Sequence, residues 1–211
     1  FPFSQAGSVL RKYRDYVEAM DENMSVWGVL RKAPPLPFLP TAVHGTEIVA
    51  LALFSTLPPE EAAAAIAEVR AFGEPVGEHI GAVPYTAWQQ VFDPLLVPPA
   101  RNYWKSHNFN RLSDAAIDVV LAYASNLPSE QSEIFLGLLG GAANTHAAEA
   151  TAYPHREVLY AMNVHTRWTS PKDDARCIAW ARNLFDQSAK YATGGVYVNF
   201  MPEDETQRVK K

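Results

Sequence analysis

The residues best equipped for chemistry lie in three short alternating stretches. In Tyr160–Trp168, Asn163, His165 and Arg167 fall on one face of a strand, because side chains switch faces at every residue. Tyr160, Met162, Val164, Thr166 and Trp168 fall on the other, the set a strand shows to packed helices. In Asn102–Phe109, the residues Tyr103, Lys105, His107 and Phe109 share a face. In Val196–Phe200, Tyr197 and Asn199 stand opposite Val196, Val198 and Phe200. If the three polar sets all point to the uncovered side of one sheet, they line it with a phenol, imidazoles, amides and cations. Such groups can abstract a proton or anchor an anionic or carbonyl substrate. The solvated face of a one-sided antiparallel sheet shows the same pattern, and spacing alone does not separate the two.

Other chemistries find less support. The six histidines, His44, His79, His107, His146, His155 and His165, show no i, i+2 or i, i+4 pairing, so no metal site is expected. There is no Gly-x-Ser-x-Gly elbow and no phosphate loop. Gly73, Gly77 and Gly81 recur at intervals of four and miss the dinucleotide spacing. The single cysteine, Cys177, excludes an internal disulfide and reads as a buried, inert thiol in a helix.

The composition sets the frame for these sites. Hydrophobic residues at 48% and charged residues at 19% of 211 describe a globular chain that can bury a sizeable core. A net charge of -5 argues against nucleic acid or an anionic membrane as partner. Basic residues gather only at the end, in Arg208, Lys210 and Lys211. No apolar run approaches the roughly 18 residues of a membrane helix. The start lacks the basic and apolar regions of a signal peptide, so a cytoplasmic location is expected. The chain opens on Phe1-Pro2-Phe3 without methionine and closes on a charged stretch, which reads as a piece of a larger protein.

The elements that must position the sites follow from pattern. Gly7 to Met20 carries a helical apolar stripe. Ser25–Arg31 and Glu47–Phe54 read as strands, the second so apolar that it reads as a buried central one, separated by a Pro-rich loop that cannot continue a ladder. Pro58, Pro59, Glu60 and Glu61 form a helix start leading to about Phe72. Glu74–Val83 is a weaker strand, and Tyr85–Phe92 a short helix. Asn102–Phe109 is a strand, Ser113 caps a helix to Ser125, and Gln131–Leu139 is a strand closed by Gly140-Gly141. Tyr160–Trp168, a helix from Asp173 to Ala189 and the strand Val196–Phe200 complete the chain. The expected fold is α+β: a mainly antiparallel sheet of about seven strands with helices on one face. Two ferredoxin-like halves, about 1–100 and 101–211, build it within a single domain.

Several of these segments also resemble a known family. Tyr153-Pro154-His155-Arg156, followed by an alternating strand ending in Trp168, looks like the aromatic-Pro-His-Arg segment of berberine-bridge-enzyme-like FAD-linked oxidases. Tyr197-Val198-Asn199-Phe200, just before Glu203-Asp204, resembles their Tyr-x-Asn-aromatic segment. Ser25-Val26-Trp27, Asn102–Phe109 and Ile134–Gly141 resemble a bacterial branch of the group, so the likeness runs over essentially the whole chain.

The resemblance implies a substrate-binding domain lying over a flavin, FAD, that a separate N-terminal domain absent from this chain would hold. By motif, Tyr197, His165 and Asn163 are the expected catalytic residues, and Asn199 the residue near the flavin. Tyr103, Lys105, His107 and Arg167 would bind a small organic substrate. His155 and Arg156 are expected to fix the turn into the strand. No carboxylate stands on the polar face of Tyr160–Trp168, which argues against a glutamate base there. Glu157 and Val158 also replace the glycine the family carries after His-Arg. The implied reaction is oxidation by hydride transfer to flavin, with the isolated piece inactive. The competing readings are a non-catalytic ferredoxin-like module that binds a ligand or pairs as a homo-oligomer through its polar face, and metal-dependent hydrolysis.

Overall fold

The computed structural model describes residues 1–205; the basic end from Arg208 lies outside them. The chain runs α1 (Ala6–Ala19), β1 (Met24–Lys32), β2 (Glu47–Ser55), α2 (Pro59–Arg70), the single turn α3 (Tyr85–Trp88), β3 (Arg101–Phe109), α4 (Asp114–Ala124), β4 (Glu133–Leu138), β5 (Tyr160–Trp168) and α5 (Asp174–Ser188). Local chemistry sets several of these ends. Pro58 and Pro59 open α2 with Glu60 and Glu61 in its first turn, where the helix dipole favours negative charge. The Ser113 hydroxyl accepts the Ala116 N–H and caps α4.

Five strands form one antiparallel sheet in the order β2-β1-β4-β5-β3, short of the seven expected. Two expected strands are missing, each for a visible reason. Glu74–Val83 packs against the Pro-rich loop instead. A Cβ on Gly77 would lie 2.7 Å from the Phe38 carbonyl oxygen, too close for any residue but glycine. Val196–Phe200 closes into a 3-10 turn over Val198–Phe200. Its flanks follow the outer edge of β3. The Thr193 N–H donates to the Asn108 carbonyl, and Asp204 meets Tyr103 and Lys105 further along. The segment lies where an edge strand would, without joining the ladder.

The helix–strand–strand–helix order occurs twice, in α1-β1-β2-α2 and α4-β4-β5-α5, with β3 between them. The first strand of each hairpin, β1 and β4, pairs antiparallel with the other at the centre of the sheet.

The helical face of the sheet carries the core. Val26, Leu30, Val49, Ile134, Leu136, Tyr160, Met162 and Val164 point there and meet Val9, Leu10 and Tyr13 of α1, Ile117 and Val120 of α4, and Ala181 and Leu184 of α5. Burying one such aliphatic side chain is worth about 1.5–3 kcal/mol, so this layer holds the fold. Tyr13 crosses the seam between the halves: its hydroxyl donates to the Val26 carbonyl at 3.0 Å and lies 3.4 Å from that of Leu136. Cys177 is fully buried in α5, and burial pushes its thiol pKa up, consistent with an inert side chain.

The opposite face has only partial cover. Leu36, Leu39 and Val43 of the Pro-rich loop pack on Ile48 and Ala50. The strap from Tyr85 to Ala100 lays rings on Trp27 and Phe54 near one corner, and its Val97 carbonyl accepts Arg167 Nη2 at 2.6 Å near the opposite corner.

Candidate functional site

The register of β3 against β5 decides which polar groups share a face. Residues paired across an antiparallel ladder point the same way. Asn102 pairs with Arg167, Trp104 with His165, Ser106 with Asn163 and Asn108 with Ala161. Those side chains look away from the helices. Tyr103, Lys105, His107 and Phe109 pair with Thr166, Val164, Met162 and Tyr160, so they look toward them. The expectation that Lys105 and His107 join Asn163, His165 and Arg167 on one wall therefore fails by one residue of parity.

Lys105 and His107 have other partners. Lys105 is 6% exposed and its ammonium contacts Asp204 at 2.8 Å and Glu205 at 2.9 Å. The His107 ring stacks on Phe185 with centroids 3.9 Å apart, and Nε2 lies 2.9 Å from the Phe185 carbonyl oxygen. The Tyr103 hydroxyl donates to Asp204 and accepts from Arg182 Nε. Partial burial pushes the Asp204 carboxyl up, but hydrogen bonds from Lys105, Tyr103 and Arg182 outweigh it and bring the pKa down to about 2. These residues clamp the end of the described chain to β3 and α5.

Tyr197 and Asn199 sit on the edge segment, not on a strand. Asn199 Nδ2 donates to the Tyr197 hydroxyl at 2.7 Å, and the Tyr197 ring packs edge-on against Tyr153 and Phe200. Arg156 lies over the Tyr153 ring, donates to the Ala143 carbonyl at 2.6 Å and also reaches the Thr151 hydroxyl. It ties the turn before β5 to the segment after β4.

Away from the helices, two rows cross the sheet. One runs Ala50, Val29, Phe135, Asn163, Ser106; the other runs Ile48, Arg31, Glu133, His165, Trp104. The second row is ionic at its centre. Arg31 Nη1 donates to Glu133 Oε2 at 2.9 Å, and Glu133 Oε1 lies 3.6 Å from His165 Nδ1. All three side chains are largely sheltered, at 12%, 17% and 16% exposure. On its other side His165 Nε2 lies 3.2 Å from Asn102 Oδ1, which also accepts Arg167 Nη1 at 3.1 Å. Oδ1 is thus an acceptor, so His165 Nε2 carries the proton and Nδ1 is the atom turned to the carboxylate. Arg167 completes its bonds with Gln131 Oε1 at 3.1 Å and the Val97 carbonyl. It braces the strap and has little left for an anion.

Glu133 supplies, from the neighbouring strand, the carboxylate that the polar face of β5 lacks. The sequence held one signal of it, a lone acid at the start of the otherwise apolar β4. Neutral polar atoms on the same face are left unmatched. Asn163 Oδ1, Trp104 Nε1 and both amide atoms of Asn108 are buried without a hydrogen-bond partner among the described residues. Beside them lies an aromatic cleft of about 420 Å³, lined by Ser25, Trp27, Phe54, Tyr85, Trp88, Gln89 and Phe92. Phe135 connects the two regions: its ring lies 5.4 Å from that of Trp27, and it pairs with Asn163 in the ladder. A larger hollow of about 660 Å³ between α1 and α2, bordered by Lys12, Asp15 and Glu68, lies on the helical side, away from these groups. Among the described residues no group of three or more His, Cys, Asp or Glu could hold a metal ion, and no helix is long and apolar enough to cross a membrane.

Solved structures share this architecture. BBE-like 1 from Physcomitrella patens superposes with a TM-score of 0.76 at 16% identity, over 98% of this chain and 45% of its own. BBE-like #28 from Arabidopsis thaliana gives 0.70 at 16% identity, over 96% of this chain and 44% of its own. The fold is that of the berberine-bridge-enzyme-like FAD-linked oxidases. In sequence, the chain is 32% identical over 89 residues to an uncharacterised FAD-linked oxidoreductase, YgaK, of Bacillus subtilis, a match over 42% of this chain and 20% of that protein. No protein-family model matches the chain. The chain spans less than half the length of the berberine-bridge-like oxidases it superposes on.

Proposed function

We propose that this chain is the substrate-binding domain of an FAD-dependent oxidoreductase, with the sheet face that bears Asn163, His165 and Glu133 turned toward substrate and flavin. The observation that carries the reading is the ionic row Arg31–Glu133–His165, beside buried neutral polar atoms that lack partners among the described residues. Burying such atoms unpaired costs about 1–3 kcal/mol each, so a domain keeps them where a ligand or another part of the protein supplies the partner. The unmatched groups are an indole N–H and carboxamides, which suit the uncharged, donor- and acceptor-bearing edge of a flavin or of a small oxygenated substrate. FAD, held by the rest of the polypeptide, would supply a hydride acceptor.

The chain's own residues would orient the substrate and handle its proton. His165 Nδ1 is the base, with Glu133 receiving the charge that a proton there creates and Arg31 fixing the carboxylate from behind. Asn163 Oδ1 accepts a hydrogen bond from a substrate hydroxyl or amine. Asn102 and Arg167 hold the imidazole in position. Tyr197 and Asn199, on the edge segment beside β3, would orient ligand and flavin from the side. Lys105 and Tyr103 act through the clamp, holding that segment in place, and His107 ties β3 to α5 through Phe185.

Flavin binding tests the domain assignment. A polypeptide extended to the length of the solved neighbours should purify yellow with FAD bound, and the 211-residue chain should remain colourless when FAD is added. Stoichiometric FAD on the 211-residue chain alone would overturn the reading.

A further inference from the structure

The aromatic cleft lies outside the polar site and asks for a ligand of its own. Three features define what it takes. First, no Lys, Arg, Asp or Glu lines it. Elsewhere on this face Arg31, Glu133 and His165 are engaged with one another and Arg167 with neutral acceptors, so the cleft offers nothing to an ion. Second, its walls are rings. Trp27 lies against Phe92 with centroids 6.1 Å apart at 27°, and Phe54 against Trp88 at 5.5 Å and 30°. Third, the polar groups among the lining side chains are the Ser25 and Tyr85 hydroxyls, the Gln89 amide and the indole N–H groups of Trp27 and Trp88. They match one or two hydroxyl or carbonyl groups, whereas a disaccharide carries more hydroxyls than they can pair.

We propose that this cleft binds a neutral, planar aromatic ring system bearing one or two hydroxyl or carbonyl groups. About 420 Å³ is room for a two- or three-ring body, within the roughly 300–1,000 Å³ of small-molecule sites. Phe135 makes the cleft continuous with Asn163. On the flavin-oxidase reading, from which this step follows, the ring system is the body of the substrate, and its reacting hydroxyl or amine extends past Phe135 to His165. Tyr85, 59% exposed on α3, stands at the mouth.

Calorimetric titration of the 211-residue chain tests the assignment with three probes: 2-naphthol, the same ring as the anion 2-naphthoate, and the neutral sugar cellobiose. Naphthol should bind, naphthoate more weakly, and cellobiose not at all. Trp88→Ala and, separately, Tyr85→Ala change only the strap and leave the core intact. Trp88→Ala should weaken naphthol by about tenfold, the upper end of what one ring contact contributes. Binding of cellobiose at or above the naphthol level, or naphthol affinity unmoved by both variants, would sink the proposal. The result is separable from the flavin test. Naphthol binding by a chain whose extended form takes up no flavin keeps the cleft and discards the oxidase reading. Flavin uptake without naphthol binding does the reverse.

Discussion

Glu133 sits between Arg31 and His165 with little solvent to screen it, so each change at this position reads out a different part of the row. Glu133→Leu strands the Arg31 guanidinium and should lower the unfolding free energy by about 2 kcal/mol in a urea titration. Glu133→Gln keeps an acceptor for Arg31 and should cost clearly less. Arg70→Ala, at the exposed pair with Glu78, should cause no measurable change. Equal effects at the two sites would mean that the row is as solvated as the surface. This row was hard to read in the sequence for a physical reason. Alternation fixed the faces of β5 because one set is largely apolar, with Thr166 its one small polar member, and the other is not. In β3 both sets are polar: Ser106 and Asn108 are as hydrophilic as Lys105 and His107, and alternation has no sign to give. The partners that decide the matter, Asp204 and Glu205 for Lys105, lie about a hundred residues away.

At the level of elements, what the chain's pattern revealed were those pieces whose chemistry is local. The Pro58-Pro59 start of α2, the Ser113 cap and the long strands all form, though β2, apolar enough to read as a buried central strand, lies at the sheet edge. Val196–Phe200 failed because five alternating residues after two glycines carry no ladder unless an edge accepts them, and here side-chain ion pairs hold the segment beside β3 instead. That clamp has a pH signature. The Asp204 carboxyl lies at about 2 in the folded chain against an ordinary 3.8. Its contribution is therefore complete above the ordinary value and fades as pH falls through about 2. Proteolysis or amide exchange at residues 200–205 should stay slow from neutrality to about pH 4 and rise steeply below it. In Asp204→Asn the same segment should already be loose at neutral pH. A segment equally protected at pH 2 and pH 7 would show that the ion pairs do not hold it.

For the molecule as a whole, the ladder that joins the two halves is its shortest. Four residue pairs link β1 to β4, against nine in β1–β2 and nine in β3–β5. It also joins distant parts of the chain, with Arg31 and Glu133 102 positions apart. Long closures of this kind form late and open early. The amides of β1 and β4 that face each other should therefore exchange with solvent through a partial parting of the halves, faster than those of β5 against β3. His165, the proposed base, lies in the second half and the aromatic cleft in the first. A molecule that reaches from Trp27 to His165 has to hold both halves together, and it should slow exchange across this seam even where it touches none of those amides.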